Sequence, residues 1–149
     1  MTHLARRIAA SGGLLLAVDY GYSGPAFGDT FQAVRSHTPV DVLDRPGEAD
    51  LTAHVDFTAL AVAAARAGAA VHGPVEQGDF LLALGLAERA GRLGADKDEA
   101  TRADLVAQVE RLAGPEEMGT LFKVLAVTLP GLALPGLPPS RTHSEVPHP

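Results

Sequence analysis

The chain has no cysteine and no tryptophan, and only 5% of its residues are aromatic. Without thiols there is no disulfide, no thiolate metal site and no cysteine nucleophile, a composition that suits a reducing compartment. With so few aromatics the core has to be assembled from leucine, valine and alanine. Cations are scarce as well: 12 Lys and Arg stand against 18 Asp and Glu, giving a formal charge of -6, and they form no dense run. A nucleic-acid surface needs clustered cations to neutralise phosphates, so that class is excluded. No apolar run reaches the roughly 20 residues that cross a bilayer. Arg6 and Arg7 precede an apolar stretch, but Ser11, Gly12 and Gly13 interrupt it and no small-residue cleavage site follows. A soluble chain without membrane insertion is expected. Two chemical signatures are missing too. There is no nucleophile elbow for hydrolase chemistry. Nor does a Gly-x-Gly turn follow any strand to bring backbone amides against a nucleotide-like cofactor. Gly21, Gly24 and Gly28 have the wrong spacing and no helix start behind them.

What remains is enough for one domain: 149 residues, 46% hydrophobic and 20% charged. Residues 4–10 read as a short helix closed by Gly12 and Gly13. Residues 14–18 are continuously apolar, the pattern of a strand covered on both faces in an α/β sheet. Residues 21–50 show no period and are rich in turn formers. Their apolar members Phe27, Phe31, Val34, Val40, Val42 and Leu43 predict an ordered loop that packs down. Asp56 caps a helix carrying Phe57, Leu60, Ala61 and Ala64 at helical spacing, which Gly68 ends. Residues 69–74 are a short strand candidate. Gln77-Gly78-Asp79 reads as a helix-entry turn, with Gln77 or Asp79 as cap, into a helix reaching about Leu93. Residues 98–112 form another helix with Leu105, Val109 and Leu112 on one stripe. Residues 121–128 are a clear strand. The chain thus divides into a domain over 1–130 and a proline-rich, disordered tail over 131–149.

Candidate chemistry concentrates in two segments. The first is the apolar strand that runs into Asp19-Tyr20-Gly21. The strand end could place Asp19 and Tyr20 on a cleft floor, or Asp19 could simply bond turn amides while Gly21 supplies a positive φ. The second is Pro46-Gly47-Glu48-Ala49-Asp50, followed by His54-Val55-Asp56. His54 suits a general base because an imidazole titrates near neutrality; it could equally fix the loop by hydrogen bonding. Glu48, Asp50, His54 and Asp56 do not make a metal site by spacing, since Asp56 is explained as a cap and no second histidine lies close. His37 and His72 are lone histidines, structural or solvated, and Lys123 snorkels to the sheet edge.

Taken together, five segments resemble the MidA family in order and spacing: residues 13–21, 28–37, 46–57, 77–82 and 118–125. They carry Val18-Asp19-Tyr20-Gly21, Glu48-Ala49-Asp50, His54-Val55-Asp56-Phe57, Gln77-Gly78-Asp79-Phe80 and Met118-Gly119-Thr120-Leu121-Phe122-Lys123. The family consists of class I S-adenosylmethionine-dependent methyltransferases and includes the mitochondrial complex I assembly methyltransferase. The resemblance runs from about Leu4 to Val127 and covers only the family's C-terminal portion. It implies the C-terminal part of a Rossmann-like α/β sheet, mostly parallel with an antiparallel last strand. Residues 14–18 would be its fifth strand, Val71 would lie near the sixth and residues 121–128 would form the seventh. It further implies protein arginine methylation on a subunit of the respiratory NADH dehydrogenase. The cofactor would be S-adenosyl-L-methionine, without cofactor-binding or metal residues in this chain. Under that reading Glu48, Asp50 and His54 are catalytic, and Asp19, Tyr20 and Asp56 bind the acceptor. The setting is a bacterial-type cytoplasm, with mitochondrial relatives in eukaryotes. The alternative is a non-catalytic fragment or split subunit that pairs through an exposed sheet edge.

Overall fold

A computed structural model describes residues 1–24 and 28–142. In chain order the elements are α1 (Thr2–Ser11), β1 (Leu14–Tyr22), β2 (Gln32–Arg35), β3 (Thr38–Val40), β4 (Asp50–Thr52), β5 (Val55–Asp56), α2 (Phe57–Arg66), β6 (Ala70–Glu76), α3 (Gln77–Ala83), α4 (Leu86–Gly94), α5 (Glu99–Ala113), α6 (Met118–Leu121) and β7 (Phe122–Thr128). The main sheet has the order β5-β1-β7-β6. β5 runs parallel to β1, while β7 is antiparallel to both β1 and β6, so the last strand is inserted against the common direction.

The apolar run of β1 forms a strand because it can bury alternate side chains on the helical layer. Leu15 and Ala17 pack with Ala5 and Ile8 of α1, with Phe57, Ala61, Val62, Ala64 and Ala65 of α2, and with Val71, Leu125 and Val127 of the neighbouring strands. Small alanines on α2 let that helix lie close to the sheet, which is how a core poor in aromatics reaches full density. The other face of β1 is different. Leu14, Leu16 and Val18 are 51%, 46% and 45% exposed, so the expectation of a strand covered on both faces holds for one face only.

The loop expected over 21–50 contains a second, three-stranded antiparallel sheet in the order β3-β2-β4. Its strands are three or four residues long, too short for a readable alternation. The β2–β3 turn uses Ser36 and His37 at φ 49° and 62°, where glycine or asparagine would have signalled a hairpin. Phe27 lies outside the described residues. Phe31, Leu43 and Leu51 are exposed and Ala33 is buried, so this part packs down less than its apolar content suggests.

The helix expected to run through to Leu93 is broken at Gly85, which takes a left-handed φ of 87° and separates α3 from α4. α3 begins without a side-chain cap. Gln77 is buried instead and donates Nε2–H to the Leu112 carbonyl at 2.9 Å. Gly78 and Gly119 allow the close approach at the same point: a Cβ on either would fall 2.6 Å or 2.3 Å from the Ala113 carbonyl oxygen. The helical hairpin of α4 and α5 projects from this root, and α5 has no buried residue along its 15. Lys123 does not reach a free edge, because β7 is an interior strand. Its ammonium donates to the Thr120 carbonyl and lies 4.0 Å from Glu76.

α5 opens on Asp98, whose carboxylate accepts the Thr101 amide at 2.7 Å. That backbone hydrogen bond, with help from the Thr101 side chain, holds the Asp98 carboxyl below its ordinary value. A carboxyl depressed in the folded state stabilises above its unfolded pKa and loses that contribution as pH falls through the folded one. The first turn of α5 is therefore expected to fray in acid, below the normal aspartate range. Thr101 amide exchange followed by NMR against pH checks this, and an Asp98→Asn chain, still capped, should lose the acid step.

Of residues 131–142, expected to lie in a disordered tail, Arg141 returns to the edge of β6. Val71 N–H donates to the Arg141 carbonyl at 3.0 Å and Arg141 N–H to the Val71 carbonyl at 2.7 Å. The extended backbone that prolines favour is what an edge strand accepts. Residues 143–149 of that expectation lie outside the described residues.

Candidate functional site

The C-terminal end of β1 is where the first group of candidates meets. Gly21 pairs with Val55 in the parallel β1–β5 ladder, and a Cβ there would sit 2.2 Å from the Val55 carbonyl oxygen and 3.0 Å from the Phe57 ring. Its φ is not positive. Glycine is required by that close approach, not by turn conformation. This contact draws the 53–57 segment against β1 and so carries His54 to Tyr20. Their ring centroids lie 5.6 Å apart at 73°, edge to face, and Tyr20 meets Phe122 in the same manner at 5.7 Å and 79°. Tyr20 is thus clamped between a ring from the loop and a ring from β7.

The remaining rim residues are fixed by local bonds. Asp19 is exposed, accepts the Tyr20 amide on Oδ1 at 2.9 Å, and stands opposite Lys123 in the ladder. Asp56 caps α2 by accepting the Ala59 amide at 2.9 Å. Thr58 Oγ1 accepts the Gly24 amide at 2.7 Å and Thr30 Oγ1 accepts the His54 amide at 3.3 Å, which ties both sides of the rim together.

Asp50 belongs to the small sheet and Glu48 to the loop that leads into it. Asp50 begins β4 opposite Val34. Glu48 lies beside guanidinium groups of this chain, 3.4 Å from Arg45 and 4.0 Å from Arg35; Arg35 also binds Asp44 at 2.7 Å. Arg35 Nη1 is buried and makes no hydrogen bond, and the Glu48 carboxylate stands 4.0 Å from it. Among the described residues no hydrogen bond or ion pair joins Glu48, Asp50 and His54. Tyr20 and His54 are brought together; the two carboxylates are held one loop away. Reading the sequence alone missed Arg35 and Arg45, because only the β2–β3 hairpin and the turn at Arg45 (φ 48°) bring them to Glu48.

Among the described residues no group of three or more His, Asp or Glu could hold a metal ion. Among the described residues no helix is long and apolar enough to cross a membrane. A cavity of about 460 Å³ lies between α4 and α5, lined by Ala87, Ala90, Gly91, Leu105, Val106 and Val109 among others, and shares no residue with the rim.

A family model described as Putative S-adenosyl-L-methionine-dependent methyltransferase matches residues 1–75. The chain is 41% identical over 124 residues to the mitochondrial Protein arginine methyltransferase NDUFAF7 of Danio rerio, covering 83% of this chain and 29% of that protein. It is 38% identical over 134 residues to the Homo sapiens protein of the same name, covering 89% and 30%. Among solved structures it resembles an uncharacterized superfamily protein from Burkholderia thailandensis, with a TM-score of 0.76 and 30% identity, covering 96% of this chain and 41% of that one. A second, a member of the same superfamily from the same organism and bound to S-adenosyl-homocysteine, gives 0.72 at 26% identity, covering 96% and 40%. The chain thus spans less than a third of the curated relatives' length, 29% and 30% for these two.

Proposed function

The chain belongs to the family of S-adenosyl-L-methionine-dependent methyltransferases, and from that premise we propose that it carries the acceptor side of a protein arginine N-methyltransferase. The substrate in this reading is a respiratory NADH dehydrogenase subunit, met in a bacterial-type cytoplasm. The observation that supports it is the clamp of Tyr20 by His54 and Phe122 at the C-terminal end of β1, the end at which open α/β sheets bind ligands. Relatives of matching sequence are named as protein arginine methyltransferases. Glu48 and Asp50 would receive the acceptor guanidinium, since a carboxylate matches its fork of donors. Glu48 would exchange Arg45 for it; an exposed pair of this kind is worth about 0–1 kcal/mol and is readily traded. His54 would take the proton that the methylated nitrogen sheds, while Tyr20, Asp19 and Asp56 would line the approach.

The described residues do not themselves form a holder for S-adenosyl-L-methionine. β1 leads into the small sheet and not into a helix, and the N-terminus of α2 is already filled by Asp56. No step of methyl transfer is therefore assigned to these side chains beyond the handling of the acceptor. The isolated chain should bind the cofactor weakly or not at all in calorimetric titration.

A chimera tests the reading: this chain replaces the matching segment of the Danio rerio protein, and arginine methylation is assayed. Transfer is expected, and Glu48→Gln should lower kcat/KM about tenfold, or 1.4 kcal/mol. Unchanged transfer removes Glu48 from its role. A folded chimera without transfer, beside an active parent, removes the reading itself.

A second reading, a non-catalytic module or split subunit, is favoured by one observation. Among the described residues β1 pairs with β5 only at Gly21 and Tyr22, and its edge from Leu14 to Tyr20 has no partner strand beside the exposed Leu14, Leu16 and Val18. An interior-type strand left open recruits another chain. The isolated protein is expected to self-associate at micromolar concentration; a strict monomer by light scattering would dispose of this reading.

A further inference from the structure

The opposite side of the main sheet is closed in an unusual way. β6 is the outer strand there, and an outer strand offers its unpaired amides and carbonyls to any extended segment. Its second half protects itself. Pro74 has no N–H to offer, and the ladder to β7 shifts register between His72 and Val75. Only the first half, Ala70-Val71-His72, keeps a regular edge, and it carries no fixed charge to repel a neighbour.

That half is where the end of the 131–142 segment, Pro138 to Arg141, lies. Both outward backbone groups of Val71 are engaged by Arg141. His72, fully buried, reaches from the same strand to hold the segment by its side chain: Nδ1 lies 3.2 Å from the Pro138 carbonyl. A carbonyl can only accept, so Nδ1 carries the hydrogen and donates. Nε2 lies 3.0 Å from Thr128 Oγ1, itself buried on β7; in the neutral ring Nε2 accepts, and it shares the single hydroxyl proton with the Leu129 carbonyl 2.8 Å from that oxygen. The imidazole therefore fastens the returning segment to the interior strand at the point where the backbone bridge fastens it to the edge.

We propose that residues 131–142 are a strap that occupies the open stretch of the β6 edge, latched by His72, and that releasing it lets a second copy of this chain pair there. A second copy fits because the stretch is short, uncharged and centred on Val71. Two such edges can meet antiparallel about a twofold axis, each Val71 supplying the donor and acceptor that Arg141 now supplies. This surface is separate from the β1 edge, and the proposal does not depend on the methyltransferase reading.

The full 149-residue chain is compared with Arg141→Pro, which removes the N–H donated to Val71 without touching the sheet, and with a chain ending at residue 130. Val71 amide exchange is followed by NMR below the concentration at which the chain associates, and molar mass by light scattering above it. Exchange at Val71 and the self-association constant should each rise about tenfold in both altered chains. Adding Val71→Pro should return the mass to that of the parent, since the outward N–H is then gone. Val71 exchanging at the parent rate in both altered chains overturns the strap. A mass that does not rise, or that rises and is not reversed by Val71→Pro, overturns the pairing at β6.

Discussion

Gly21→Ala is expected to destabilise the protein by about 3 kcal/mol, at the upper end of what overpacking costs. The added methyl group would lie 2.2 Å from the Val55 carbonyl oxygen, a backbone atom that cannot rotate aside, and 3.0 Å from two carbons of the Phe57 ring. One of the two strands must move. Moving β5 breaks its parallel pairing with β1 and withdraws His54 from Tyr20. For a domain of this size the loss corresponds to a fall in Tm of roughly 6–12 °C. Urea unfolding measures it directly, and a change below about 1 kcal/mol would show that the approach of the strands is not fixed by Gly21. The aromatic signals of Tyr20 and His54 should shift together in the same variant.

Phe57→Ala is expected to cost about 3–5 kcal/mol, the range for emptying a buried aromatic site. Phe57 has no exposed surface and joins α2 to the sheet in a core whose other members are mostly alanine and valine. Small neighbours have little side chain with which to collapse into the space, which puts the expected loss in the upper half of that range. The two substitutions should not add. Removing the ring relieves part of the crowding at position 21 and leaves the carbonyl clash, so the double variant should fall short of the sum by about 1 kcal/mol. Strict additivity would show that the methyl group meets only the backbone.

The elements legible in the sequence are those whose signal is local and repeated. The apolar run of β1, the Asp56 cap, the helix that starts near Asp98 and the strand before Thr128 each announce themselves within a few residues, and each stands where expected. The second sheet does not, because its strands are stabilised by pairing with one another, and such partners have no mark in the sequence when the turn between them is Ser36-His37. Gln77 and Gly78 were visible as a turn but serve a contact with the end of α5, some 35 residues away. At the rim, the meeting of Tyr20 and His54 follows from a strand end and a loop that face the same way. The engagement of Glu48 by Arg35 and Arg45 depends on side chains whose neighbourhood only the folded hairpin creates.

The hairpin of α4 and α5 behaves as a cantilever. Its fifteen-residue outer arm sinks nothing into the interior, so its stiffness comes from the root, where Gln77 grips the Leu112 carbonyl and Gly78 and Gly119 admit Ala113. Amino-acid changes along the arm are cheap, and this surface can drift or be rewritten while the body stays as it is. A single methyl group at the root would bend the whole arm.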